Sequence, residues 1–293
     1  ERRFKLIFRQ FVKVFSSQEH PVVLFLDDLQ WADLASVNLI EDLILNDGKG
    51  IYKNEGEFNA DFFTLNQNTF ANSGQMDVTQ FKGDKGTFVN QGILSTLEKA
   101  SFSQFENRGT AVLEELDVSE QGGNQGTLTL KALSGNGVFT NQRLLTFDAL
   151  INNSAIINIR KFVNQSEHGK QAEVKGKNIV VSKKVTEFLL DSGTFIAHSL
   201  SFKDGSGHYE NRGDLILMLL LLDGVTTSYM NKGRLQVRTI AGKGIFINHH
   251  LLTLKGLEQQ SDQGMIGVAR FINETSNADF IAKVVGKNVV FSK

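Results

Sequence analysis

From about Gly50 onward, apolar and polar residues alternate over short stretches, as in Phe70-Ala-Asn72, Met76-Asp-Val78 and Leu128-Thr-Leu130. A period of two puts successive side chains on opposite faces of an extended chain, so these stretches predict half-buried β-strands. The first 46 residues follow a different rhythm. Phe4, Phe8, Phe11 and Phe15 recur at helical spacing and predict an amphipathic helix, which His20-Pro21 ends. Val22 to Leu26 is a continuous apolar strand ending in Asp27-Asp28. Asp33 fits the N-cap of a second helix that carries Leu34, Val37, Ile40, Leu43 and Ile44 on one side.

Within the strand-like region a short motif recurs: aromatic, any residue, Asn, any residue, Gly, any residue, apolar. It reads Tyr52-Lys-Asn54-Glu-Gly56-Glu-Phe58, then Phe70 to Met76, Phe88 to Leu94 and Phe105 to Ala111. Weaker copies hold Asn124 with Gly126 and Asn141 with Leu145, and later ones hold Asn211, Asn231 and Asn248. The asparagines at 54, 72, 90, 107, 124 and 141 are spaced by 18, 18, 17, 17 and 17 residues. A longer similarity overlies the short one. Gly135 to Thr146 (GNGVFTNQRLLT) resembles Gly242 to Thr253 (GKGIFINHHLLT), and Phe105-Glu-Asn-Arg-Gly109 resembles Tyr209-Glu-Asn-Arg-Gly213. Two tandem copies over about residues 86–183 and 193–293 are expected.

Fixed periods of this size mean stacked supersecondary units. Seventeen or eighteen residues hold two or three short strands with tight corners, which is one rung of a parallel β-solenoid. The expected fold is mainly β: a right-handed parallel β-helix over 47–293, of about 13 short rungs and about 60 Å long at strand spacing, preceded by a small α/β fragment over 1–46. Asn54, Asn72, Asn90, Asn107, Asn124, Asn141, Asn211, Asn231 and Asn248 are expected to form a ladder of stacked side-chain amides. The following glycine supplies a corner with positive φ or a close backbone approach. The aromatic stripe reads as core.

Composition sharpens this picture. The sole proline is Pro21, so 272 residues follow without one, where average usage of about 5% predicts roughly 14. Proline is confined to edges and bulges of sheets, and 27 glycines argue against a helical array. The absence of cysteine excludes a disulfide scaffold, a zinc ribbon and thiol catalysis. A net charge of −1 leaves no electrostatic footprint for nucleic acid. The longest apolar run, Leu215 to Leu222, is about half of what a bilayer crossing needs. In strict alternation half of that run would face outward, which reads as a drifted, aggregation-prone strand or, alternatively, as a self-association surface. The chain starts at Glu1 rather than Met and reads as a fragment, so the lack of a signal peptide carries no weight.

The Phe-x-Asn-x-Gly-x-Leu units resemble the solenoid repeats of filamentous-hemagglutinin-type bacterial surface proteins, over about four fifths of the chain. That resemblance implies an adhesin-like, structural role at the bacterial surface, with a protein or glycan surface as partner. His20-Pro-Val-Val-Leu-Phe-Leu-Asp-Asp-Leu-Gln-Trp-Ala-Asp33 resembles the Walker B segment of STAND-type and AAA-like P-loop ATPases. By that resemblance Asp27 would be the acid on the magnesium side and Asp28 the catalytic acid that orients water, and the setting would be cytoplasmic. No G-x-x-x-x-G-K-[ST] loop accompanies them. ATP and magnesium therefore enter only if the chain is part of a signalling ATPase; otherwise no cofactor is expected.

Other candidate chemistry is sparse. Glu114, Glu115 and Asp117 form the tight acidic group, which reads as a solvated face. His249-His250 would point to opposite faces of a strand and make a poor metal pair. Gly122 to Gly126 resembles the start of a calcium-binding nonapeptide. Neither a zinc-protease motif nor a nucleophile elbow occurs. The expected function is a non-enzymatic structural or adhesive repeat module joined to a non-functional ATPase remnant that could cap the solenoid. The alternatives are a piece of a signalling ATPase with the solenoid as partner domain, and a carbohydrate-active β-helix enzyme.

Overall fold

The structure, a computed structural model, describes residues 51–65, 68–148, 154–203, 205–224, 226–254, 263–275, 282–286 and 288–291. The expected helix–strand–helix over 1–46, with Asp27 and Asp28, lies outside them. The described residues form a parallel β-solenoid and contain no helix. All strand pairings among them are parallel; the one antiparallel contact is an isolated bridge between Glu167 and Lys170.

Each turn has three faces. In the turn Thr110–Asn124, residues 110–113 pair with 127–130, 115–117 with 132–134, and 121–124 with 138–141. Inward positions then superpose from turn to turn. The face after the glycine buries Met76, Leu94, Ala111, Leu128, Leu145, Val174, Phe195, Leu215, Leu235 and Leu252 in one file. The face before the asparagine stacks rings: Phe70 lies 5.8 Å from Phe88 at 12°, and Phe88 lies 6.2 Å from Phe105 at 7°. Near the other end Tyr229, Phe246 and Phe271 repeat that arrangement. The aromatic stripe is core, and a single continuous apolar cluster runs through the coil.

The asparagine ladder is present. Nδ2 of Asn72, Asn90, Asn107 and Asn124 each donates to Oδ1 of the asparagine one turn on, at 2.8 Å. Each Nδ2 also donates to a backbone carbonyl of the next turn, such as Ile93 O from Asn72 at 2.8 Å. The interior members are fully buried, where an unpartnered amide would cost about 1–3 kcal/mol. Asn54, Asn141, Asn211, Asn231 and Asn248 take the same place. Two further members, Asn164 and Asn273, join them. Leu190 occupies the slot between Asn164 and Asn211 and interrupts the file.

The glycines after the asparagines act through close approach. A Cβ on Gly92 would lie 2.0 Å from the carbonyl oxygen of Gly74, and on Gly126 2.0 Å from that of Gly109. Positive φ is found instead at other corners, including Gly135 at 127° and Gly242 at 122°.

Twelve strands stack on the ladder face among the described residues, bounding eleven turns. The expectation of about 13 equal rungs is therefore too high. Ladder steps lengthen to 23 residues between Asn141 and Asn164 and to 25 between Asn248 and Asn273. The step from Asn164 to Leu190 is lengthened too, and it holds a corner loop around His168, whose φ is 50°.

The run Leu215 to Leu222 resolves without a fully exposed apolar strand. Leu215, Leu217, Leu220 and Leu222 are buried and Ile216, Met218, Leu219 and Leu221 half-buried. The alternation resets between Leu217 and Leu220, where the chain turns from one face to the next. Leu217 thus belongs to the core.

Candidate functional site

A concavity of about 700 Å³ runs along the ladder corner over three successive turns. The residue after each ladder position forms its wall: Arg212, Lys232 and His249, with Arg234 and His250 beside them. These positions stack because each follows the ladder strand of its own turn, one coil apart.

Glu210 organises the wall. Its carboxylate, 1% exposed, accepts from Arg212 Nε, from Lys232 Nζ at 3.2 Å, and faces His208 Nε2 at 3.0 Å. Burial opposes its charge, but hydrogen bonds and charge from Arg212 and Lys232 outweigh that and hold the Glu210 carboxyl below the ordinary glutamate value. The bond to Glu210 is also the main reason why the Arg212 guanidinium is held above its usual value, and Asp191 adds a second partner at 3.0 Å. Arg234 donates from Nε and Nη2 to Asp214, both at 2.6 Å. Cations and carboxylates therefore match one for one across Arg212, Lys232, Arg234, Glu210, Asp191 and Asp214. The arrangement consumes its charge internally, so it braces the corner rather than presenting a strong electrostatic site.

His249 and His250 lie in a corner, not on a strand, and both line this concavity. His249 Nδ1 sits 3.0 Å from Glu274 O. The expected opposite-face arrangement is corrected by the turn after Asn248. Each carboxylate of the Glu114, Glu115 and Asp117 group meets a lysine: Lys131 pairs with Glu114 at 2.7 Å, and Lys99 bridges Glu115 and Asp117 at 3.0 Å each. Ser134 Oγ lies 2.9 Å from both of those carboxylates and can donate its one hydrogen to either. In Gly122 to Gly126, Asn124 serves the ladder, and no group of three or more His, Asp or Glu able to hold a metal occurs among the described residues. No helix among them is long and apolar enough to cross a membrane. Sequence reasoning missed the Glu210 brace. Its signal was the charged triplet Glu210-Asn211-Arg212 with Lys232 one repeat on.

All of this chemistry belongs to the coil, whose described part starts at residue 51. The segment before it has its own affinity. Residues 1–50 match the family model of an AAA ATPase domain. That match covers the acidic pair Asp27-Asp28 and stops just before the described coil. The chain thus joins an AAA ATPase-like segment to a β-solenoid. No curated protein and no solved structure matches the chain.

Proposed function

We propose that the chain is a non-enzymatic, rod-like structural or adhesive module whose ATPase-like segment is a remnant, the division falling near residues 46–47. The observation that carries this reading is the ladder: a file of buried amides that stiffens a long coil and leaves its outward residues free to vary. Eleven turns at about 4.8 Å each give a shaft of roughly 50 Å, and such quasi-one-dimensional folds serve as extended binding surfaces. Support for the remnant as a cap comes from the first turn. Strands Ile51–Asn54 and Glu57–Thr64 pair on one side only among the described residues, and Tyr52, Phe58 and Phe63 there are only partly buried. Residues immediately upstream are placed in sequence to cover that edge. The test coats beads with the full chain and measures their retention on bacterial and host-cell layers, beside small-angle scattering for shape. An elongated particle that retains beads supports the reading; a compact one, or beads that bind nothing, overturns it.

A second reading, ATP binding through Asp27 and Asp28, is favoured by the family match over residues 1–50 alone. Calorimetry with ATP and magnesium, beside an Asp27→Asn, Asp28→Asn double variant, tests it. Micromolar binding that the variant loses would establish it, and no heat from either protein would remove it.

A further inference from the structure

The most distinctive irregularity of the outer surface lies at Gly122-Gly123. In the file of stacked rings Gly122 stands between Phe105 and Phe139, and in the adjacent outward file Gly123 stands between Glu106 and Thr140. The missing outward side chain at Gly123 leaves a groove of about 480 Å³ with Gly122 and Gly123 in its lining, while the inward space at Gly122 is taken by Phe139 and Val118. A Cβ at Gly123 would meet nothing within 4 Å, so the space above it is empty. A groove of this size falls within the range of small-molecule sites.

Its walls are carboxamides: Gln104, Gln121, Gln125, Gln142 and Gln165. Gln125 Nε2 donates to Gln142 Oε1 at 3.0 Å, and Gln142 donates to Glu167, which orients the pair along the rod. Gln104 accepts from Thr87 Oγ1 at 3.1 Å. A carboxamide offers two donor hydrogens and two acceptor lone pairs, so each retains capacity beyond these contacts. The sole ionisable residue in the lining, Glu106, is paired with Arg108 Nε at 2.8 Å. The groove is thus neutral, rich in groups that both donate and accept, and floored by backbone at Gly122 and Gly123. Hydroxyl groups also donate and accept, and a pyranose presents several of them around one ring. A second concavity shares Gln125 and Gln142 and continues along the axis to Glu167, His168 and Lys170, which gives room for a chain of such units.

We propose that the amide-walled groove over Gly123 binds a neutral oligosaccharide lying along the rod axis. This rests on the adhesive reading and names its ligand class. Gln125 and Gln142 bond the hydroxyls, and the space left by Gly123 admits one sugar ring. The test uses the full chain on a printed array of neutral, carboxylated and sulfated oligosaccharides, beside Gly123→Ile and Gln142→Ala. Isoleucine is tolerated elsewhere in this outward file, at Ile247 and Ile272, so the variant fills the groove while keeping the strand. Binding confined to neutral members, lost at least tenfold in Gly123→Ile and weakened several-fold in Gln142→Ala with unchanged melting, supports the proposal. No binding, binding to charged members alone, or full binding by Gly123→Ile overturns it. Beads coated with Gly123→Ile separate the two levels: retention equal to wild type leaves the adhesive rod standing and removes this groove as its contact.

Discussion

Asn211 stacks directly on Leu190, and its buried Oδ1 accepts no hydrogen bond. Elsewhere in the ladder that oxygen receives the Nδ2 of the preceding turn. Leu190→Asn would supply the donor at a slot whose other occupants beyond the first turn are asparagine wherever the file is continuous. The gain of a buried bond, net of the lost leucine packing, is expected to stabilise the chain by about 1 kcal/mol. A raised denaturant midpoint checks it.

Tyr229 carries a second orphan. Its side chain is fully buried, its hydroxyl has no hydrogen-bond partner, and burial pushes the phenol well above its usual range. The next ring in the stack, Phe246, fills the equivalent place without a hydroxyl. Tyr229→Phe should therefore be neutral or stabilising by up to about 1 kcal/mol. In Tyr209 the hydroxyl donates to Val185 O at 3.3 Å, so Tyr209→Phe should instead cost about 1 kcal/mol. Thermal melts should show Tyr209→Phe below wild type and Tyr229→Phe at or above it.

Two glycine substitutions of equal chemistry should differ sharply. Gly92→Ala drives a methyl to 2.0 Å from the Gly74 carbonyl oxygen, a backbone atom that cannot swing away. A loss of about 3 kcal/mol is expected, at the upper end for overpacking. Gly123→Ala meets open space and should stay within about 0.5 kcal/mol of wild type. Chemical denaturation of the pair measures the contrast.

The Glu210 brace makes stability depend on acid. A carboxyl held below its unfolded value contributes stability that is complete above the unfolded pKa, about 4.3, and is lost as pH falls through the lower folded value. Glu210→Gln should cost about 1–3 kcal/mol at neutral pH, and its penalty should shrink below pH 4. Midpoints of wild type and variant measured from pH 7 to pH 3 should converge at the acid end.

Much of the fold was legible because the repeat carries its own mechanism. An amide that must stack every turn and a glycine that must pass under a carbonyl leave Asn-x-Gly at fixed spacing, and Asn54 to Asn124 display it. The rung number was not legible where that mechanism lapses. Phe162-Val-Asn164 keeps the ring and the amide but is followed by a loop instead of a glycine corner. At Phe188-Leu-Leu190 the amide itself is gone. The Glu210 brace was hidden for another reason: its partners are two residues and one whole turn away, so only the coil brings them together. The groove over Gly123 could have been read from Gly122-Gly123 replacing an aromatic and its neighbour in an otherwise regular repeat. The 1–46 segment is recognisable by its residues alone.

Every ladder bond runs the same way, with the nitrogen of the earlier turn giving to the oxygen of the later one. The added bond from each Nδ2 to a carbonyl fixes that orientation. The amide dipoles therefore align head to tail along the shaft and polarise one another. The rod is electrically directional: oxygen leads at Asn54, nitrogen trails toward Asn273, and Leu190 splits the shaft into two such dipoles in series.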